Sequence, residues 1–151
     1  MNRSALRILG RVARHGEMSL DRAIRMSHKS GVDHRSQYPL ALLLEEHYLG
    51  MTINYTPPEG FDRMREFALA ITLHMYMVPA DASGIVSYQG VRSSGGLDPK
   101  KERVFLTAKG ALYIDEYWQK RWDRVWSVAL GFATGILVAL GADWAKTHFG
   151  W

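Results

Sequence analysis

VWSVALGFATGILVALGA, residues Val125–Ala142, contains no charged side chain. At ~1.5 Å per helical residue it covers roughly 27 Å, close to the hydrocarbon thickness of a bilayer. Working outward, Trp118, Lys120, Arg121, Trp122, Arg124 and Trp126 form a basic and aromatic collar before it, and Asp143, Trp144 and Lys146 follow. Tryptophans at both ends suit the headgroup region, so Trp118, Trp122, Arg124, Trp126 and Trp144 are the expected membrane-interface residues. The competing reading is a buried helix of a globular protein, because glycine and serine dilute the run. Its position at the C-terminal end favours lipid. The expectation is a single transmembrane helix over 125–142, a short tail over 143–151, and a head formed by everything upstream.

Inside that run Ser127, Gly131, Gly135 and Ala139 recur every four residues, a small-residue stripe containing GxxxG. Small residues let two helix backbones approach closely in lipid, where packing drives association. The stripe predicts a homodimer or higher oligomer through the span; the plain alternative is a monomeric anchor.

The chain has 151 residues, enough for one ordinary domain plus the anchor. Asn2–Arg14 alternates arginines with aliphatics and lacks the continuous apolar core of a secretory signal. The span is therefore expected to insert after synthesis, single-pass, with the N-terminal domain cytoplasmic. Lys120, Arg121 and Arg124 before the span against Lys146 after it agree with that orientation. The absence of cysteine excludes disulfides and thiolate metal sites. The net charge of +4 is unevenly spread. Met1–Ser36 holds eight Lys/Arg against three Asp/Glu, Gln37–Pro99 three against seven, and Lys100–Arg124 seven against four. A polyanion would be met by the first third and by the segment beside the membrane.

Periodicity predicts a helix over Ser4–His15, with Ala5, Ile8, Leu9, Val12 and Ala13 on one face and Arg3, Arg7, Arg11 and Arg14 on the other. Gly16 ends it. A second helix is expected over Met18–Lys29, with Ser19 as its N-cap and Gly31 as its stop. Pro39 suits the first turn of a third, apolar helix over Leu40–Tyr48. Met51–Tyr55 alternates as a short strand, and Phe61–Val78 repeats its apolar residues at three and four as a further helix. Gly84–Gly90 and Arg103–Leu106 read as the strands of a hairpin with a long Gly- and Ser-rich tip. Thr107 should cap a closing helix that runs unbroken into the span, about 35 residues and ~50 Å. Gly110 is expected only to weaken its first turn.

Two segments carry a family likeness. LALLLEEHYLGMTI (Leu40–Ile53) resembles the third helix and following strand of winged helix-turn-helix domains. VFLTAKGALYI (Val104–Ile114) resembles the "LTxxG" strand-to-helix corner of multiple-antibiotic-resistance-type and PadR-type regulators. The implied fold is α+β: a winged helix-turn-helix over residues 1–108 with an inserted helix at about 61–78, an amphipathic juxtamembrane helix over 109–124, and the span. The insertion leaves two candidates for the second wing strand, Met51–Tyr55 and Gly84–Gly90. By position, the resemblance implies base contact by His34, Arg35, Ser36, Gln37 and Tyr38 at the start of the third helix. It places Arg22, Arg25 and Lys29 on phosphates, and a wing tip of Arg92, Ser93, Ser94, Lys100 and Lys101 on the backbone or minor groove.

No Walker loop, GxSxG, HExxH or nucleophilic cysteine is present, and the six histidines show no metal spacing with carboxylates. No enzyme, metal or cofactor is expected, and His74, set among apolar residues, reads as a core histidine. Two functions stand. One is a membrane-tethered DNA-binding regulator or DNA-tethering factor, with duplex DNA, the lipid bilayer and a second copy as partners. The other is a membrane effector or scaffold, of the kind found in phage- or defence-linked systems, whose winged helix binds protein or lipid while the span oligomerises.

Overall fold

The computed structural model describes residues 2–27, 33–53, 55–56, 60–79, 81–93 and 98–150, without the side chains of 62 and 139–149. Residues 1–114 form one compact unit and residues 115–151 a second.

The first unit begins with helix α1 (Arg3–His15), whose N-cap Asn2 accepts a hydrogen bond on Oδ1 from the Ser4 amide at 3.3 Å. Gly16, with φ +78°, ends it as expected. Ala5, Ile8, Leu9 and Val12 are fully buried and the four arginines are exposed, so the 3.6-residue period decides which face enters the core. The next element corrects the sequence reading. Glu17–Ser19 is a strand, β1, rather than the start of a helix, and helix α2 begins only at Leu20 (Leu20–Ser27). Met18 is buried opposite Val104 in an antiparallel pairing. The first α2 amides are satisfied by backbone, not by Ser19: Leu20 N donates to the Glu102 carbonyl and Asp21 N to the Pro99 carbonyl, both at 2.8 Å. The expected end of this helix at Lys29 and Gly31 lies outside the described residues.

A 3-10 turn (His34–Gln37) leads into α3 (Tyr38–Glu45), with Pro39 in its first turn. Helix α3 stops at Glu45 rather than Tyr48, because His47 takes φ +57° and turns the chain into β2 (Leu49–Met51). The expected strand over Met51–Tyr55 therefore begins two residues earlier and ends at Met51. Phe61–Val78 resolves into a 3-10 turn (Asp62–Met64) and α4 (Arg65–Met75).

The hairpin departs furthest from its expected form. Gly84–Gly90 does not pair with Arg103–Leu106. Instead β3 (Val86–Tyr88) pairs with β4 (Val91–Ser93) around a two-residue turn, Gln89 and Gly90, both at positive φ as a primed turn requires. Strand β5 (Arg103–Leu106) is the centre of a separate antiparallel sheet of order β1-β5-β2. The Phe105 ring covers Gly50 on that sheet, so closely that a Cβ there would lie 2.5 Å from ring carbons. Residues 52–102 are thus inserted between two neighbouring strands.

The main core joins α1, α2, α3, β5 and one face of α4 through Ile8, Ile24, Leu40, Leu43, Leu73 and Val104. A smaller cluster of Ile71, Met75, Val86 and Val91 ties α4 to the β3-β4 hairpin. Helix α5 (Ala108–Phe149) follows β5 directly and is 42 residues long. Thr107 caps it, accepting from the Gly110 amide at 3.2 Å, and its hydroxyl also lies 3.0 Å from the Tyr48 carbonyl. The chain is thus α+β: helices, small antiparallel sheets and a long C-terminal helix. Among the described residues, no helix is long and apolar enough to cross a membrane. The side chains of 139–142, which end the expected span, lie outside that description.

Candidate functional site

The start of α3, where the resemblance puts base contacts, is built from residues that mostly face inward. His34 is 4% exposed and Gln37 0%. Gln37 Nε2 donates to the Ile24 carbonyl at 3.5 Å, a long bond that ties α2 to the turn. The His34 ring is enclosed edge-on by Tyr38, Phe67 and Tyr88, at centroid distances of 5.8, 5.2 and 5.8 Å. Its Nδ1 contacts the Asp33 carboxylate and lies 3.2 Å from the Tyr88 hydroxyl. Ser36 is half-buried, with its hydroxyl donating to the Asp33 carbonyl at 2.9 Å and its own carbonyl accepting from Ser27. Arg35 and Tyr38 are the exposed members, and Arg35 Nε sits 3.3 Å from Asp33 Oδ2.

Asp33, absent from the sequence reading, organises this corner. Tyr88 Oη donates to its Oδ1 at 3.0 Å, fastening the β3-β4 hairpin to the start of α3. Desolvation pushes the Asp33 carboxyl up, but the Tyr88 hydrogen bond and the charges of His34 and Arg35 outweigh it and hold the group below its ordinary value. Burial, then the Asp33 hydrogen bond, pushes the Tyr88 phenol up. An acidic residue directly before the His-Arg pair was the available signal, whereas Tyr88 is 55 residues away and carried none. His74 is buried as expected and packs on Tyr88 at 4.7 Å between ring centroids.

Helix α4 lies along α3 and its 3-10 turn. Tyr38, Leu42 and Glu46 form an exposed stripe along α3 and its end, at four-residue spacing; Glu46 is ion-paired with Lys109 at 3.2 Å and Glu45 with Arg65 at 3.3 Å. Other exposed cations are distributed over α1, α2, β4 and the turn before β5. Arg22 makes no ion pair among the described residues, whereas Arg25 is held by Asp21 at 3.0 Å. Arg92 is exposed on β4, and Lys100 and Lys101 stand on the turn whose Pro99 carbonyl meets the start of α2. The turn that carries Lys100 and Lys101 is thus bonded through its backbone to the start of α2. Ser93 is half-buried on β4, and Lys29 and Ser94 fall outside the described residues. Arg3, Arg7, Arg11 and Arg14 are exposed, and among the described residues none of them is ion-paired.

In the second unit, Trp118, Trp122, Arg124, Trp126 and Ser127 are exposed, and a Cβ on Gly131 or Gly135 would meet nothing within 4 Å. The side chains of Ala139 and Trp144 are not among those described. Phe132 and Leu137 are 73% and 70% exposed, and Val128, Leu130 and Val138 stand out similarly. No cluster of three metal-ligating side chains occurs among the described residues. No protein-family model, curated protein or solved structure matches the chain.

Proposed function

We propose that the chain is a membrane-tethered winged-helix protein that holds duplex DNA at a bilayer, through phosphates rather than base edges. The observation that carries the reading is α5. Its apolar side chains from Val125 to Val138 stand exposed, and the sequence continues apolar through Ala142. An apolar surface of that extent needs a cover of lipid or protein, and the run has the length of a span. The tryptophan and arginine collar then sits at headgroup level, and the Ser127, Gly131, Gly135 and Ala139 stripe supports a dimer within the bilayer.

For the head, the order α1-β1-α2-α3-β2-β5, with β5 between β1 and β2, supports the winged-helix resemblance, with residues 52–102 inserted in the wing. Base reading by α3 draws little support, since His34 and Gln37 are buried and the helix lacks cations. The exposed arginines of α1, with Arg22, Lys100 and Lys101, are suited to sequence-independent phosphate contact.

The test uses the full chain in neutral-lipid nanodiscs, titrated with a labelled duplex over a salt series. The expected result is binding that weakens steeply with salt and barely distinguishes sequences. Salt-independent binding, no binding, or release of the chain from membranes by carbonate washing overturns the reading. A second reading is favoured by the Tyr38, Leu42 and Glu46 stripe, whose chemistry suits a protein partner. In that reading the chain is a membrane effector or scaffold, and it keeps its activity when the α1 arginines are removed.

A further inference from the structure

Within the first unit, a cleft of about 290 Å³ opens where the inserted residues meet the three-helix head. Leu20 of α2, Ile53, Leu69 and Leu73 of α4, and Val91 of β4 give it apolar walls. Tyr55, Thr56, Thr72, Tyr76 and Ser93 supply its hydroxyls. The volume is about twice the ~150 Å³ that accommodates a single benzene ring, and it lies at the small end of ligand pockets.

Tyr55 Oη is buried, and its recorded partner among the described residues is the Thr72 side chain, in a contact short of good hydrogen-bond geometry. A buried donor in that condition is unfavourable unless a ligand or water completes it. The neighbouring Thr72 hydroxyl already donates its proton to the Ala68 carbonyl at 2.9 Å. Among the hydroxyls of the lining, the Tyr55 phenol is the one buried without a partner of good geometry. Burial is the leading cause that pushes both Tyr55 and Tyr76 up, so both stay protonated near neutrality. The carboxylates that act on the phenols, Glu45 on Tyr55 with Arg65 as its ion-pair partner and Glu102 on Tyr76, work against an anion there, and Arg92 is the cation of the lining that an anion would have to use.

We propose that this cleft binds a neutral, largely apolar small molecule of one-ring size carrying a single carbonyl acceptor, which the Tyr55 hydroxyl engages. The site couples α4 and β4 to the chain leaving β2, so occupancy tightens the insertion onto the head. It does not depend on the membrane reading.

Met51 and Met75 line the cleft and Met64 does not, which provides internal reporters. Full-length chain in nanodiscs, labelled with 13C at the methionine methyls, is titrated with acetophenone, ethylbenzene and benzoate. Acetophenone is expected to move the Met51 and Met75 signals saturably while Met64 stays still. Ethylbenzene, which has the shape without the acceptor, should bind about five- to ten-fold more weakly. Tyr55→Phe should remove that difference, and Val91→Trp should block both ligands while the remaining methyl spectrum is retained. The proposal is overturned if neither reporter saturates, if Tyr55→Phe leaves the preference for acetophenone intact, or if benzoate binds as well as acetophenone through Arg92.

Discussion

Gly110 lies directly against the main chain of Tyr48: a Cβ at that position would sit 2.1 Å from the Tyr48 carbonyl oxygen. Both sides of this contact are backbone, so neither can rotate away. Gly110→Ala should therefore destabilise the head by about 3 kcal/mol or more, above the usual range for overpacking by one methyl group. Thermal unfolding of the full chain checks this, and a change within about 0.5 kcal/mol would show that α5 is not seated on Tyr48 as described.

Thr107 completes the same corner. Its hydroxyl reaches the His47 and Tyr48 carbonyls and accepts from the Gly110 amide. Thr107→Val keeps the shape and removes these bonds. A loss of about 1–2 kcal/mol is expected, the size of a lost N-cap. Thr107→Ser, which keeps the hydroxyl, should recover most of it.

The Asp33 carboxyl is held low, so its contribution is present above its unfolded value, ~3.9, and is lost as pH falls through the lower folded value. Stability should fall on the acid side below about pH 4. Tyr88→Phe removes a bond that holds the carboxyl low, so it should shrink that fall and lower Tm by about 2–4 °C at neutrality. The phenols behave with the opposite sign. Tyr55 and Tyr76 are raised, so the folded state keeps their protons, and that contribution is lost as pH climbs above about 10. Acid unfolding curves of wild type and Tyr88→Phe check the first limb, and alkaline curves of wild type and Tyr76→Phe check the second.

What could be read from the sequence was local. The α1 face, the Gly16 stop, Pro39 in the first turn of α3 and the Thr107 cap each depend on neighbours within a turn, and each lies where expected. Pairing depends on residues far apart. Glu17–Ser19 has the composition of a helix start and becomes a strand because Val104, more than eighty residues on, offers it an edge. The long-tipped hairpin failed for the same reason: Arg103–Leu106 alternates well enough to pair with any strand, and only the tertiary arrangement selects β1 and β2 over β3. His34 and Gln37 look like contact residues by position, yet the inserted α4 and hairpin fold over them, and an insertion's docking surface leaves no periodic signal.

The distribution of cations separates phosphate contact from base reading. Each lysine or arginine that neutralises a phosphate contributes about 0.9 to the slope of log K against log salt on duplex DNA. Arg7→Ala with Arg11→Ala, both exposed on α1, should therefore lower the slope by about 2 if α1 lies on the backbone, and weaken all sequences equally. Arg35 is already engaged by Asp33, so Arg35→Ala should change the slope by less than about one unit. A larger effect for Arg35→Ala, confined to particular sequences, would instead place the start of α3 against base edges. Salt-series titrations of the three proteins on two unrelated duplexes decide between these outcomes.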